Sequence, residues 1–210
     1  MARTKEFDPD TALEAAMRLF WRKGYEGTST SDLTVELGIA RASLYSTFGS
    51  KHDLYLAALD RFLAGAAGPT PADILTSRES ALESVRDLLE TSVVAPREST
   101  PPGCFAVNAT VEHGDNDPEI SQRTTGNASR LETALYGALL RARAEGELAS
   151  GVDPKSAATM LTALNHGLKV LARAGTGQND RISTAIASAM SLLGAPSHSD
   201  ADTDATAGAH

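Results

Sequence analysis

The chain has 210 residues, 41% of them hydrophobic, which is enough apolar material for a core in one large domain or two smaller ones. No stretch approaches the roughly 20 uninterrupted apolar residues of a membrane span. The first ten residues lack the apolar segment of a signal peptide, and one cysteine excludes a disulfide framework, so a soluble cytoplasmic protein with no membrane partner is expected. The net charge of −8 sits mostly beyond the first 63 residues, which hold 8 Lys/Arg against 9 Asp/Glu, so charge alone neither excludes nor argues for nucleic acid.

In chain order the pattern is helical almost throughout, an all-α fold. Asp8-Pro9 is a cap followed by proline at the first helical position, and Leu13, Ala16, Met17 and Phe20 form one apolar stripe that Gly24 ends. Ser29 and Asp32 have capping-box spacing and open a short second helix closed by Gly38. A third short helix runs from about Ala40 to Phe48 and stops at Gly49. Ser50 and Asp53 repeat the box and start a fourth, with Leu54, Ala57, Ala58 and Phe62 on its packed side.

Gly65, Gly68, Pro69 and Pro71 then mark a domain boundary, giving a first domain over 1–66 and a second over 67–194. In the second, helices are expected from Ser77 to about Val94, from Cys104 to Val111, from the Asp117-Pro118 cap to Glu147, and from Asp153-Pro154 onward. A last one carries Ile182, Ala185, Ile186, Ala189, Met190 and Leu193. A proline-rich loop spans Pro96–Gly103, and the polar tail 195–210 has too little to bury to fold.

The unusual feature is the pair of short helices across a glycine turn, residues 29–48. Leu33, Leu37, Ile39, Leu44 and Phe48 can point inward, leaving Arg41, Ala42, Ser43, Tyr45, Ser46 and Thr47 outward on a helix narrow enough for the DNA major groove. Arg41 and Lys51 lie in the first turns of their helices, where the dipole disfavours a cation by roughly 0.3–1 kcal/mol. A phosphate beside each would reverse that penalty.

The run GYEGTSTSDLTVELGIARASLYSTFGSKHDLYLAAL, from Gly24 to Leu59, resembles the DNA-binding domain of the TetR/AcrR family of regulators. The resemblance rests on Gly24-Tyr25, Thr28-Ser29-Thr30, Gly38-Ile39, Leu44-Tyr45, Phe48 and Gly49-Ser50-Lys51. It implies an N-terminal three-helix helix-turn-helix domain and a C-terminal helical ligand-binding and dimerisation domain. Tyr45 and Lys51, with Thr28 or Thr30, are implied to hold phosphates. Arg41, Ala42, Ser43 and Ser46 are implied to face base edges, and Arg3 and Lys5 to reach the backbone or minor groove. Ala40 departs from the family's usual Ser or Thr cap, and Thr47 from its frequent histidine or aromatic residue.

The resemblance further implies a bacterial repressor that binds a double-stranded operator as a homodimer and is released by a small-molecule effector. The last two helices are implied to build the dimer interface, through Leu161, Leu164, Leu168, Ile182, Ile186, Ala189 and Leu193. Candidate effector-pocket residues are Phe105, Val111, His113, Tyr136, Met160 and His166. Cys104, in a Gly-Cys pair ahead of an apolar helix, is the alternative sensor of oxidants or electrophiles. No metal-ligand spacing and no phosphate loop, nucleophile elbow or HExxH helix occurs, so no metal, cofactor or enzyme activity is expected. The remaining alternative is a helical adaptor that does not bind DNA.

Overall fold

The computed structural model describes residues 7–66, 69–93 and 103–194. Within them are ten α-helices: α1 (Pro9–Lys23), α2 (Thr30–Leu37), α3 (Arg41–Phe48), α4 (Lys51–Arg61), α5 (Pro71–Leu75), α6 (Ala81–Thr91), α7 (Phe105–His113), α8 (Pro118–Ala144), α9 (Pro154–Arg173) and α10 (Asn179–Leu193). Arg3, Lys5, the tail 195–210 and all of the Pro96–Gly103 loop but Gly103 lie outside the described residues.

Local chemistry sets most helix starts. Asp8 accepts the backbone N–H groups of Asp10 and Thr11 ahead of Pro9, and the boxes Ser29/Asp32 and Ser50/Asp53 are both closed reciprocally. Gly38 adopts φ +65°, the left-handed conformation that ends α2 and turns the chain into α3. The end of α4 widens into a π-helical turn, Phe62–Ala66, which Gly65 interrupts at φ +88°.

Three elements differ from the sequence expectation. Thr70, Pro71 and Asp73 form a third capping box, so α5 stands where Pro71 had been read only as a breaker. The next helix starts at Ala81 rather than Ser77, because the Ser77 hydroxyl donates to the Ile74 carbonyl and closes α5, while Ser80 caps α6. The long helix α8 stops at Ala144, short of Glu147. The Glu147 carboxylate instead accepts the Ser80 hydroxyl at 3.1 Å and the Leu82 N–H at 2.8 Å, tying α8's exit to the start of α6.

Two apolar cores result. The first joins α1–α4 and includes Phe20, Leu33, Leu44, Leu54 and Tyr55. It also takes in Cys104, Phe105, Val107 and Ile120, so α7 packs into the core of the N-terminal helices. The second is built by α5, α6, α8, α9 and α10 around residues such as Leu89, Leu135 and Leu139.

The residues expected at the dimer surface lie within this second core. Leu161, Leu168, Ile182, Ile186, Ala189 and Leu193 are all buried within this second core, and Leu164 is half-buried against it. An apolar stripe at helical spacing shows that a face is covered but not by what, and α8 is the element packed most extensively on α9 within the same chain.

The caps also carry a pH dependence. Hydrogen bonds from Lys23 and Ser29 hold the Asp32 carboxyl well below its usual range, and those from Ser50 and Thr70 lower Asp53 and Asp73. A carboxyl depressed in the folded state adds stability above its unfolded pKa, near 4, and that stability is lost as pH falls through the folded value. The midpoint of thermal unfolding followed by circular dichroism is therefore expected to fall steadily below about pH 4. A midpoint unchanged down to about pH 2 would show that the caps contribute nothing.

Candidate nucleic-acid interface

Leu33 and Leu44, 0% and 2% exposed, lock α2 against α3 across the Gly38 turn. That burial turns the other side of α3 outward: Arg41, Ala42 and Ser46 are exposed, and Ser43, Tyr45 and Thr47 half-buried. Ala40 provides no side-chain cap, so the first N–H groups of α3 remain open to an anion. The Ser46 hydroxyl donates to the Ser43 carbonyl along the exposed face.

Thr30, Arg41 and Tyr45 come together as one group. The Tyr45 hydroxyl lies 3.1 Å from the Thr30 hydroxyl, and the Arg41 guanidinium sits over the Tyr45 ring, 5.6 Å from its centroid. The Thr30 hydrogen bond, with help from Arg41, holds the Tyr45 phenol below its usual pKa. Lys51 is oriented separately, its ammonium 4.1 Å above the centre of the Tyr25 ring. Tyr25 was missed as a functional residue, although the Gly24-Tyr25 pair is part of the recognised motif.

Thr28 does not join this surface. Its side chain is fully buried and its hydroxyl donates to the Gly24 carbonyl at 2.6 Å, so it shapes the turn before α2 rather than offering a donor to phosphate.

Among the described residues, four polar contacts hold the N-terminal helices to the rest of the chain. Glu112 on α7 accepts the backbone N–H of Tyr25 at 2.9 Å and of Glu26 at 2.8 Å. This fixes the turn that carries the ring under Lys51. It also explains Gly24: at φ +79°, a Cβ there would lie 2.9 Å from a Glu112 carboxylate oxygen. His52 on α4 meets Asp117, the cap of α8, at 2.7 Å. Arg123 grips Asp60 with two donors, at 2.8 and 3.2 Å. Arg173 donates to the Trp21 and Arg22 carbonyls at the end of α1. None of these partners was legible from spacing.

Two family models match the chain. "Bacterial regulatory proteins, tetR family" covers residues 12–58, and "Tetracyclin repressor-like, C-terminal domain" covers residues 81–190. The chain belongs to the TetR family. It is therefore a DNA-binding transcriptional regulator with an N-terminal helix-turn-helix and a helical C-terminal domain.

This TetR-family chain is 35% identical over 195 residues to the uncharacterised HTH-type transcriptional regulator YezE of Bacillus subtilis, covering 92% of this chain and 100% of that protein. It is 30% identical over 174 residues to the HTH-type transcriptional repressor ComR of Escherichia coli, covering 82% of this chain and 83% of that one. Among solved structures, a cysteine mutant of the TetR-family regulator CifR complexed with 26-bp operator DNA superposes with a TM-score of 0.79 at 30% identity, over 91% of this chain and 100% of that chain. No helix among the described residues is long and apolar enough to cross a membrane.

The candidate effector residues of this TetR-family regulator are scattered. Phe105 lies in the head core, 5.3 Å from the Tyr55 ring and 5.8 Å from Phe62. His113 is buried against Tyr25 and Tyr55. Val111, Tyr136 and Met160 are exposed, at 76, 39 and 40%, and His166 is half-buried. None of the six is among the described lining of the apolar cavity that the helices enclose. That cavity, of about 350 Å³, opens where the end of α4 meets α5, α6, α7, α8 and α9, and Cys104 and Lys169 are in its wall. Its walls come from residues 62 to 169 of the sequence, so no local pattern could assemble it.

Proposed function

We propose that this regulator is a repressor that binds its operator as a homodimer and is released by a small molecule. The observation that carries the DNA reading is the cluster of Thr30, Arg41 and Tyr45 at the uncapped start of α3, with Lys51 oriented separately over the Tyr25 ring. Arg41, Ala42, Ser43 and Ser46 face base edges, while Thr30, Tyr45 and Lys51 hold phosphates. The CifR structure, in which a relative of 30% identity is complexed with operator DNA, supports this reading.

For the dimer, the surface that fits is the exposed side of the last two helices rather than the buried leucines. Met160, Ala163, Gly167 and Val170 fall at helical spacing on the outer face of α9, and Ala187, Ser188, Ser191 and Leu192 are exposed on α10. Small residues among apolar ones permit close helix approach. Two heads joined this way meet half-sites about one helical turn, roughly 34 Å, apart.

The effector site is the 350 Å³ cavity. It borders Phe62, Leu63 and Gly65, where α4 ends, and α4 carries Lys51 at its other end. A ligand that favours one placement of α4 changes the population of DNA-competent heads. In a second reading Cys104 itself is the sensing group, and the observation favouring it is that this residue lines the same cavity.

The test is salt-dependent binding of the full chain to duplexes selected from random sequence. Lys51→Ala is expected to weaken all duplexes alike and to flatten the slope of log affinity against log salt by about one unit. Selection that yields no preferred duplex would remove the operator reading. An unchanged slope would remove Lys51 from the phosphate contacts.

A further inference from the structure

The cavity between the end of α4 and α9 has an apolar wall, and Lys169 is the one charged residue among its described lining residues. Phe62, Leu63, Ile74 and Leu88 form the wall, and no acidic side chain is among the described lining residues. The rim hydroxyls are already engaged: Thr70 donates to Asp73, Thr91 to the Asp87 carbonyl, and Ser92 to the Leu89 carbonyl. Lys169 is different. It is half-buried and lines the cavity, and its ammonium makes no ion pair or hydrogen bond with any described residue. The Asn127 amide, also in the wall, makes no side-chain hydrogen bond with a described residue.

Unpartnered buried amides lie close by in the fold. Asn165, 0% exposed, has neither its amide oxygen nor its amide nitrogen bonded, and it precedes Lys169 by one turn of α9. The Asn108 amide nitrogen is likewise unbonded, one turn of α7 after Cys104. His166, on the neighbouring turn, supplies no counter-charge, since burial and the Lys169 charge both disfavour its protonated form.

An ammonium at an apolar wall loses solvation when a ligand covers it, and only an opposite charge on that ligand restores it well. A neutral apolar ligand would cover the Lys169 ammonium without supplying a counter-charge. A dianion such as phosphate would bring two charges to one cation and no apolar body for the wall. The volume, near the small end of the usual range of about 300–1,000 Å³, limits the ligand to a ring or a short chain.

We infer that the effector is a small organic monoanion, a carboxylate on an apolar body, held by the Lys169 ammonium with the Asn127 amide as a second donor. The inference rests on the reading of this cavity as the effector site.

The full chain is tested by thermal-shift fluorimetry and titration with benzoate, phenylacetate and hexanoate against benzamide, phenylacetamide and hexanamide. Carboxylates are expected to raise the unfolding midpoint and the matched amides not to. Lys169→Met is expected to weaken carboxylate binding about tenfold or more, and Lys169→Arg to retain it. Asn127→Leu, checked for fold by circular dichroism, is the second variant should Lys169→Met not fold, and it too is expected to weaken the carboxylates.

Amides that stabilise as strongly as the acids overturn the inference. So do variants that bind the acids as the wild type does, or a wild type that binds none of the three at millimolar concentration. A protein that binds its selected duplex yet ignores every carboxylate loses this inference alone. One that selects no duplex loses the operator reading, while the acid–amide comparison still decides the ligand class.

Discussion

Arg41→Ala will lower affinity for a selected operator by about 5- to 150-fold per half-site, the equivalent of about 1–3 kcal/mol for a bidentate base contact. In a dimer engaging two half-sites the loss applies twice. The physical case begins with exposure: Arg41 is at the start of α3 on its outward face, and stacking on the Tyr45 ring four residues later sets its direction. The fork of five N–H donors suits guanine O6 and N7, so Arg41→Lys should not restore the affinity.

Specificity decides the role. A base-reading Arg41 predicts that the alanine variant tolerates other bases at one position in each half-site, which selection from random duplexes will display. If affinity instead drops uniformly for all duplexes, with the salt slope reduced by about one unit, Arg41 is holding phosphate and the base assignment is wrong.

Glu112→Ala will destabilise the folded chain by about 2–4 kcal/mol, since two backbone N–H groups lose a charged acceptor worth about 1.5–3 kcal/mol each, partly replaced by water. For a chain of 210 residues this corresponds to a fall in the unfolding midpoint of about 4–16 °C. The bonds concerned run from Tyr25 and Glu26 to a carboxylate 86 or 87 residues away, and they shape the turn whose aromatic ring orients Lys51. Operator binding should therefore weaken even at temperatures where the variant is fully folded.

Glu112→Gln, which keeps one acceptor oxygen, should recover part of both losses. An alanine variant that melts with the wild type would mean that this carboxylate does not hold the turn. One that melts early yet binds operator normally would separate the turn's stability from its role in DNA contact.

How much of this was legible depends on the range of the interaction. The starts of α1, α2, α4, α8 and α9 were readable because a cap acts over two or three residues: Asp8 on Asp10 and Thr11, Ser29 on Asp32, Ser50 on Asp53, Asp117 on Ile120, Asp153 on Ser156. The same rule was present at Thr70-Pro71-Asp73 and went unread because proline was taken as a stop alone. The outward residues of α3 were readable too, since Leu44 and Gly38 fix which side is buried and where the chain turns.

Tertiary structure alone decided the rest. It turned the Thr28 hydroxyl inward to the Gly24 carbonyl, gave Cys104 and Phe105 to the head core, and covered the α9 and α10 leucines from within the chain. It brought Glu112 to the Tyr25 turn and Lys169 to an apolar wall with no acid among its described residues. Helical spacing encodes that one face of a helix is buried, and caps encode where it begins, because both act within a turn or two. Which surface covers that face, and which distant polar groups meet, is settled only when the helices pack, and the sequence by itself contains no local record of it.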